Sequence, residues 1–159
     1  MSSKKFTTST LNGLQYEIAR RVNKTLNKEV AGYVKDKLKE HVKEDVYSTY
    51  SPTEYNRREE NGGLLDDKNI RHKVKSCELS VYEEAPIEDP RLDSSNWVEK
   101  KDSLAQIIEH GAHNPWNSKE YPWTKPRPFV TKTQEDINYR YAEILDILEK
   151  GVNHDTGTK

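Results

Sequence analysis

The sequence predicts an α+β fold with a long N-terminal helix, a small antiparallel β-sheet and a C-terminal helix. Apolar residues recur at every fourth position through the first third of the chain, and apolar and polar residues alternate in two short runs near its middle. A third pattern, an apolar face at helical spacing, lies near the end. We expect a single domain over residues 10–150, flanked by a flexible N-terminus (1–9) and a loose tail (151–159).

Residues 10–48 predict one long helix, because the segment contains no proline and Thr10 can cap its start. Its apolar stripe comprises Leu14, Ile18, Val22, Leu26, Val30, Val34, Leu38, Val42 and Val46. A spacing of four exceeds the turn of an α-helix, so the stripe should drift by roughly 40° at each step. One flat surface could not cover such a stripe. We therefore expect either a bend or break near Gly32 or several partners along the helix.

Residues 64–110 predict the strands and a connection. The first alternating run places Ile70, His72 and Val74 on one face and Arg71, Lys73 and Lys75 on the other. The second places Cys77, Leu79 and Val81 opposite Glu78, Ser80 and Tyr82, which makes Cys77 a candidate core residue. Gly62-Gly63 predicts a turn ahead of these runs, and Leu64-Leu65 an apolar anchor after it.

Residues 111–132 predict an irregular loop, because their prolines fix φ and remove hydrogen-bond donors. Phe129 should be a buried plug at the end of this loop, with Thr131 or Thr133 capping the helix that follows. That helix is predicted over residues 133–150, and Gly151 should stop it. Its apolar face comprises Ile137, Tyr141, Ile144, Leu145 and Leu148.

The composition indicates a thin core that is completed by partners. Only 32% of residues are apolar and 33% are charged, whereas the three Trp and nine Tyr suit protein interfaces. Charge is unevenly spread: residues 1–48 hold ten Lys/Arg against six Asp/Glu, and residues 78–102 hold three against eight. Such opposite patches suit head-to-tail packing in a ring, or are simply two solvated faces. The interface candidates are Trp116, Tyr121, Trp123, Arg127 and Phe129.

Cys77 is the only cysteine, so no disulfide can form within the chain. The N-terminal residues lack an apolar signal core, and no run approaches the ~18 apolar residues of a membrane span. We therefore expect a protein made in a cytoplasm, without a membrane partner.

No pattern predicts catalysis, and we expect neither enzyme activity nor a cofactor. His110 and His113, beside Glu109, resemble a metal cluster, but they straddle a glycine instead of sharing one helical face. Glu83 and Glu84 should point to opposite faces of a strand, which disfavours an acid–base pair. A metal-dependent enzyme using the two histidines remains an alternative that metal analysis would decide.

A basic cluster on the long helix offers a second alternative. Arg20, Arg21, Lys24 and Lys28 form a candidate basic patch for phosphates. Acidic residues interleave with the basic ones along the helix, which is typical of a solvated surface. A small DNA-binding or regulatory protein would use this patch, and a salt-dependent shift of DNA mobility would reveal it.

Three short motifs follow the long helix in order: Gly62-Gly63-Leu64-Leu65, Ile108-Glu109-His110-Gly111 and Arg127-Pro128-Phe129. Together they resemble the head–tail connector family of tailed phages, the neck or tail-completion subunits, over roughly residues 11–149. Two features depart from that family: Thr131 stands where a second proline is common, and residues 114–125 form a longer, more aromatic insertion.

The resemblance implies an α+β structural virion protein without enzyme activity. It implies a ring of six or twelve copies that joins the portal and head to the tail, as a head- or tail-completion protein. The expected partners are further copies of the chain, the portal or adaptor and tail proteins, and DNA passing through the ring. The expected location is the virion neck, after assembly in the host cytoplasm.

Overall fold

The long N-terminal helix is continuous in the computed structural model, which describes residues 11–49, 51, 57–86, 103–111 and 125–154. It consists of α1 (Leu11–Thr25), a first π-helical segment (Leu26–Val30), α2 (Ala31–His41) and a second π-helical segment (Val42–Tyr47). The backbone is helical at each junction, so the helix does not break near Gly32. The predicted flexible segment 1–9 and the predicted cap Thr10 lie outside the described residues.

The two π-helical segments explain the spacing of four. A π turn closes its hydrogen bonds from residue i to i+5, so it is wider and rotates the chain less per residue than an α turn. Two such turns within the stripe offset the drift that a four-residue spacing produces in an α-helix. Leu26, Val30, Leu38, Val42 and Val46 are all buried as a result. The bend or break expected near Gly32 is therefore not what buries this part of the stripe.

The sheet is a hairpin of β1 (Ile70–Lys75) and β2 (Glu78–Glu83), paired antiparallel from Ile70–Glu83 to Lys75–Glu78. Its inner face packs on the first π-helical segment and α2, and the alternation of inner and outer residues is confirmed. The turn consists of Ser76 and Cys77, with φ of 52° and 61°. Positive φ at both positions is the geometry of a two-residue type I′ hairpin. Cys77 is exposed in this turn and is not a core residue.

Three further helices complete the fold: α3 (Leu104–His110), α4 (Phe129–Tyr139) and α5 (Tyr141–His154). α3 begins with a reciprocal cap, in which Gln106 N donates to Ser103 Oγ at 3.3 Å and Ser103 N donates to Gln106 Oε1 at 3.0 Å. It ends at Gly111, as predicted. α4 starts at Phe129, four residues before the predicted boundary, and α5 continues to His154 through part of the predicted loose tail. Residues 155–159 are not described.

α4 and α5 run antiparallel to the long helix. Four contacts follow one another along the two elements: Lys132 with Asp45, Asp136 with Lys37, Glu143 with Tyr33, and Gly151 with Thr25. A Cβ at Gly151 would lie 2.3 Å from Cγ2 of Thr25. The prediction that Gly151 stops the helix is therefore wrong, since α5 continues to His154. The missing side chain of Gly151 instead lets α5 approach the long helix closely.

The main core lies where the second π-helical segment, the start of β1, α3 and α4 meet. Its buried residues are Leu38, Val42, Val46, Leu64, Leu65, Ile70, Ala85, Ala105, Ile108 and Phe129. Leu64 and Leu65 enter it from a tight turn in which a Cβ on Gly63 would lie 2.6 Å from the carbonyl oxygen of Glu59. The predicted apolar anchor and the α+β fold class are both confirmed.

Candidate functional site

The carboxylate of Glu109 caps α4 from a distant part of the sequence. One oxygen, Oε2, accepts from Val130 N at 2.8 Å. The other, Oε1, accepts from Thr131 N at 3.0 Å and from Thr131 Oγ1 at 2.6 Å. A helix start exposes free N–H groups and the positive end of the helix dipole, and a buried carboxylate satisfies both. We call this arrangement the Glu109 clamp.

The clamp replaces the cap that the sequence suggested. Pro128 precedes α4 and supplies no side-chain hydrogen bond. Thr131 donates to Glu109 instead of capping the helix, and the Thr133 hydroxyl donates to the carbonyl of Phe129 at 2.6 Å within the first turn. No local pattern could identify Glu109 as the cap, because it lies twenty residues before Phe129.

The clamp also closes the base of the segment that contains the predicted interface residues. Arg127 N donates to the carbonyl of Ile108 at 2.8 Å, so the chain on either side of residues 112–124 lies side by side. Trp116, Tyr121 and Trp123 fall within that segment, outside the described residues. The structure thus fixes the two points from which the segment departs and returns.

Arg127 and Phe129 are the two interface candidates that the structure describes. Arg127 is half-buried beside Ile108. Phe129 is fully buried in the main core, so the prediction of a buried plug is confirmed. A side chain in this position cannot contact a neighbouring subunit while the main core stays folded. The role of Phe129 is to hold α4 against Ile108 and Leu64.

The N-terminal end of the long helix carries apolar residues that the rest of the described chain does not cover. Leu11, Leu14 and Ile18 are 70%, 48% and 50% exposed, respectively. They continue the stripe that is buried from Leu26 onward, but α5 meets the long helix at Thr25 and ends three residues after Gly151. We call these three residues the open stripe. Singly exposed apolar residues are common, whereas a row on one helix face indicates a contact surface.

The predicted basic patch is largely committed to a neighbouring acid. Arg20 Nε and Nη2 donate to Glu17 at 2.9 and 2.8 Å, and Arg21 Nε donates to Glu17 at 2.9 Å. Hydrogen bonds from Arg20 and then Arg21 lower the pKa of Glu17 to about 2, so the carboxylate stays charged. Lys28 lies 3.8 Å from Glu29. These pairings reduce the positive charge that the patch can offer to phosphates.

One buried carboxylate has no role in the clamp. Glu83 closes the inner face of β2, and its Oε1 accepts from Ala85 N at 2.8 Å. Its Oε2 is buried without a hydrogen-bond partner among the described residues. Burial raises the pKa of Glu83 to about 7, although Arg58 lies near enough to oppose the shift. The alternation of β2 continues from Leu79 and Val81 to Glu83, which places this acid on the inner face.

A family model named YomN matches residues 10–154, which is most of the chain. The chain belongs to the YomN family. This family is phage-associated, in agreement with the coarser part of the predicted resemblance. Searches of curated proteins and of solved structures found no match. The YomN match begins one residue before α1 and ends at the last residue of α5, so it covers every element described above.

Two further expectations for this member of the YomN family concern a metal site and a membrane span. Glu109 serves the clamp, and His110 is exposed beside it, whereas His113 lies outside the described residues. Among the described residues, no group of three or more His, Cys, Asp or Glu side chains could hold a metal ion. No helix of the described chain has the length and apolar character needed to span a membrane.

Proposed function

We propose that the chain is a non-enzymatic structural subunit of a tailed-phage neck, where copies form a ring that joins the portal and head to the tail. The observation that carries this proposal is the open stripe of Leu11, Leu14 and Ile18 at the free end of the long helix. Membership of a phage-associated family supports a virion role, and the motifs shared with connector subunits support the neck.

The open stripe lies on the N-terminal part of the long helix, before the contact of Thr25 with Gly151. From Thr25, where α5 crosses, to Leu11 the helix rises by roughly 20 Å. Covering three large apolar side chains along that length removes them from water, which favours association. In a ring, every subunit has another copy as its neighbour, and that copy can cover the open stripe.

The clamp and the open stripe lie at opposite ends of the long helix, which suits a head-to-tail contact. Lys132 of α4 contacts Asp45 within the second π-helical segment, whereas the open stripe begins at Leu11. Surfaces at opposite ends of one subunit produce heterologous contacts, and such contacts close into rings when the rotation permits. In this arrangement the segment 112–124, with Trp116 and Trp123, contacts the next copy or an adjoining ring.

The remaining parts of the proposal follow from the neck location. The ring contains six or twelve copies, its neighbours are the portal or adaptor and the tail proteins, and DNA passes through it. The subunit is made in the host cytoplasm and ends in the virion. The alternative of a DNA-binding regulator is less well supported, because Glu17 engages two of the four residues of the basic patch.

The test measures the mass of the purified protein across a wide concentration range, with electron microscopy of any assembly. We expect rings, and we expect Leu14→Gln with Ile18→Gln to weaken association by about tenfold or more without lowering the unfolding temperature. Tyr16→Gln is the matched control, because Tyr16 is 73% exposed on the same helix but lies off the stripe. A wild-type protein that stays monomeric at every concentration would refute self-assembly, and unchanged association of the double variant would refute the role of the open stripe.

A further inference from the structure

We propose that neighbouring copies join through their β-hairpins, with the β1 edge of one copy paired antiparallel to the β2 edge of the next. This inference rests on the proposed ring and names one of its contacts. A closed ring of hairpins would give each strand two neighbouring strands, whereas in one copy no third strand of the described residues borders the hairpin.

Both edges present free backbone groups. Glu84 N donates to the carbonyl of Asn69 at 2.9 Å, which fixes 69–84 as a hydrogen-bonded position of the ladder. Because such positions alternate in an antiparallel pair, the N–H and C=O groups of His72 and Val74 point away from β2. Those of Leu79 and Val81 point away from β1 for the same reason. Within the described parts of the chain, no third strand borders either edge.

The outer faces of the two strands carry opposite charge. β1 presents Arg71, Lys73 and Lys75, and β2 presents Glu78 together with Ser80 and Tyr82. Arg71 already pairs with Glu84 at 3.0 Å. Neither Lys73, Lys75 nor Glu78 forms an ion pair with another residue that the structure describes. Lys75 and Glu78 are cross-strand partners in the register but do not approach closely enough for an ion pair, so they and Lys73 can also face charges on a strand from outside.

The charge pattern favours pairing of a β1 edge with a β2 edge over pairing of two β1 edges. Two β1 edges would place lysines opposite lysines, which disfavours a symmetric dimer. A β1 edge beside a β2 edge places Lys73 and Lys75 near Glu78, which favours the heterologous contact that a ring requires. Lysines on an edge strand also protect a monomer from aggregation, and the experiment below distinguishes the two roles.

The experiment uses two complementary charge variants of the full chain. Variant A, Lys73→Glu with Lys75→Glu, makes both edges acidic. Variant B, Glu78→Lys with Ser80→Lys, makes both edges basic. Each variant alone should assemble about tenfold more weakly than the wild type, because like charges meet at every junction. An equal mixture should regain rings of wild-type mass, because A and B can alternate with complementary edges at every junction.

The mixture separates assembly from the stability of the hairpin. Each copy in the mixture carries the same altered hairpin as in the separate samples, so restored stability of that hairpin cannot explain a rescue. Lys28→Glu with Lys43→Glu is the matched control, since it changes the net charge as variant A does, at two exposed sites on the long helix. It should form rings of wild-type mass.

Each outcome has one meaning. Weak assembly of A and of B with recovery in the mixture supports hairpin pairing. Normal assembly of A or B alone, or no recovery in the mixture, overturns it while the ring of the wild type still stands. A wild-type protein that forms no ring overturns the proposed function and this inference together.

Discussion

Replacing Glu109 with glutamine should destabilise the subunit substantially while preserving its shape. The carboxylate is buried and accepts from Val130 N, Thr131 N and Thr131 Oγ1. Glutamine has nearly the same volume, but it offers one acceptor oxygen in place of two and carries no charge. The NH2 group of the glutamine must then face at least one backbone N–H at the start of α4. Two hydrogen-bond donors would therefore point at each other.

The size of the effect follows from two losses. A hydrogen bond to a charged acceptor contributes about 1.5–3 kcal/mol. The favourable interaction of a negative charge with a helix N-terminus adds about 0.3–1 kcal/mol. We therefore expect Glu109→Gln to lower the free energy of unfolding by about 2–3 kcal/mol, and the unfolding temperature by about 5–10 °C for a domain of this size.

Urea and thermal unfolding, followed by circular dichroism, measure both quantities. Glu135→Gln is the matched control, since Glu135 is exposed on the same helix and takes no part in the clamp, so its loss should change stability by less than about 0.5 kcal/mol. If Glu109→Gln were as stable as that control, the clamp would contribute nothing to folding and the account of the α4 start would be refuted.

Three further predictions concern other sites. Burial raises the pKa of Glu83 to about 7 from an ordinary 4.5, so the folded state binds this proton more tightly than the unfolded state does. The free energy of unfolding should therefore fall as pH rises from 4.5 to 7. Glu83→Gln should remove that dependence and be more stable than the wild type by about 2 kcal/mol in urea unfolding at pH 8. Gly151→Ala should destabilise by about 1–3 kcal/mol despite the usual preference of helices for alanine, and Thr25→Ala in the same chain should recover most of the loss on thermal unfolding. Trp116→Ala or Trp123→Ala should leave the monomer soluble but weaken its association in sedimentation, and unchanged association would exclude that segment from the interface.

Periodicity in the sequence predicted the fold class, because the long helix and both strands turn an apolar face inward, whereas α5 has no buried residue. The stripe of the long helix and the alternation of Ile70 and Val74 lie where they were expected. Boundaries were less predictable where tertiary contacts decide them. α4 starts early because Glu109 caps it, and α5 passes through Gly151 because Thr25 lies against it.

The π-helical segments show how a pattern can predict the correct residues and the wrong packing. A spacing of four in an ideal α-helix turns the stripe away from any single partner. The chain instead widens two turns, at Leu26–Val30 and at Val42–Tyr47, and buries Leu26, Val30, Leu38, Val42 and Val46 of the stripe. Such a change of helix type depends on the packing that it permits, so local spacing alone could not reveal it.

The three motifs behind the resemblance to connector subunits meet in one corner of the molecule. Leu64 and Leu65, Ile108 and Phe129 share the main core, and Glu109 joins the second motif to the third. Their order along the chain therefore reflects how this fold closes. The case for a ring rests instead on exposed features, the open stripe and the charged hairpin edges. Substitutions in the corner should consequently change the free energy of unfolding, whereas substitutions at the exposed features should change association at constant stability.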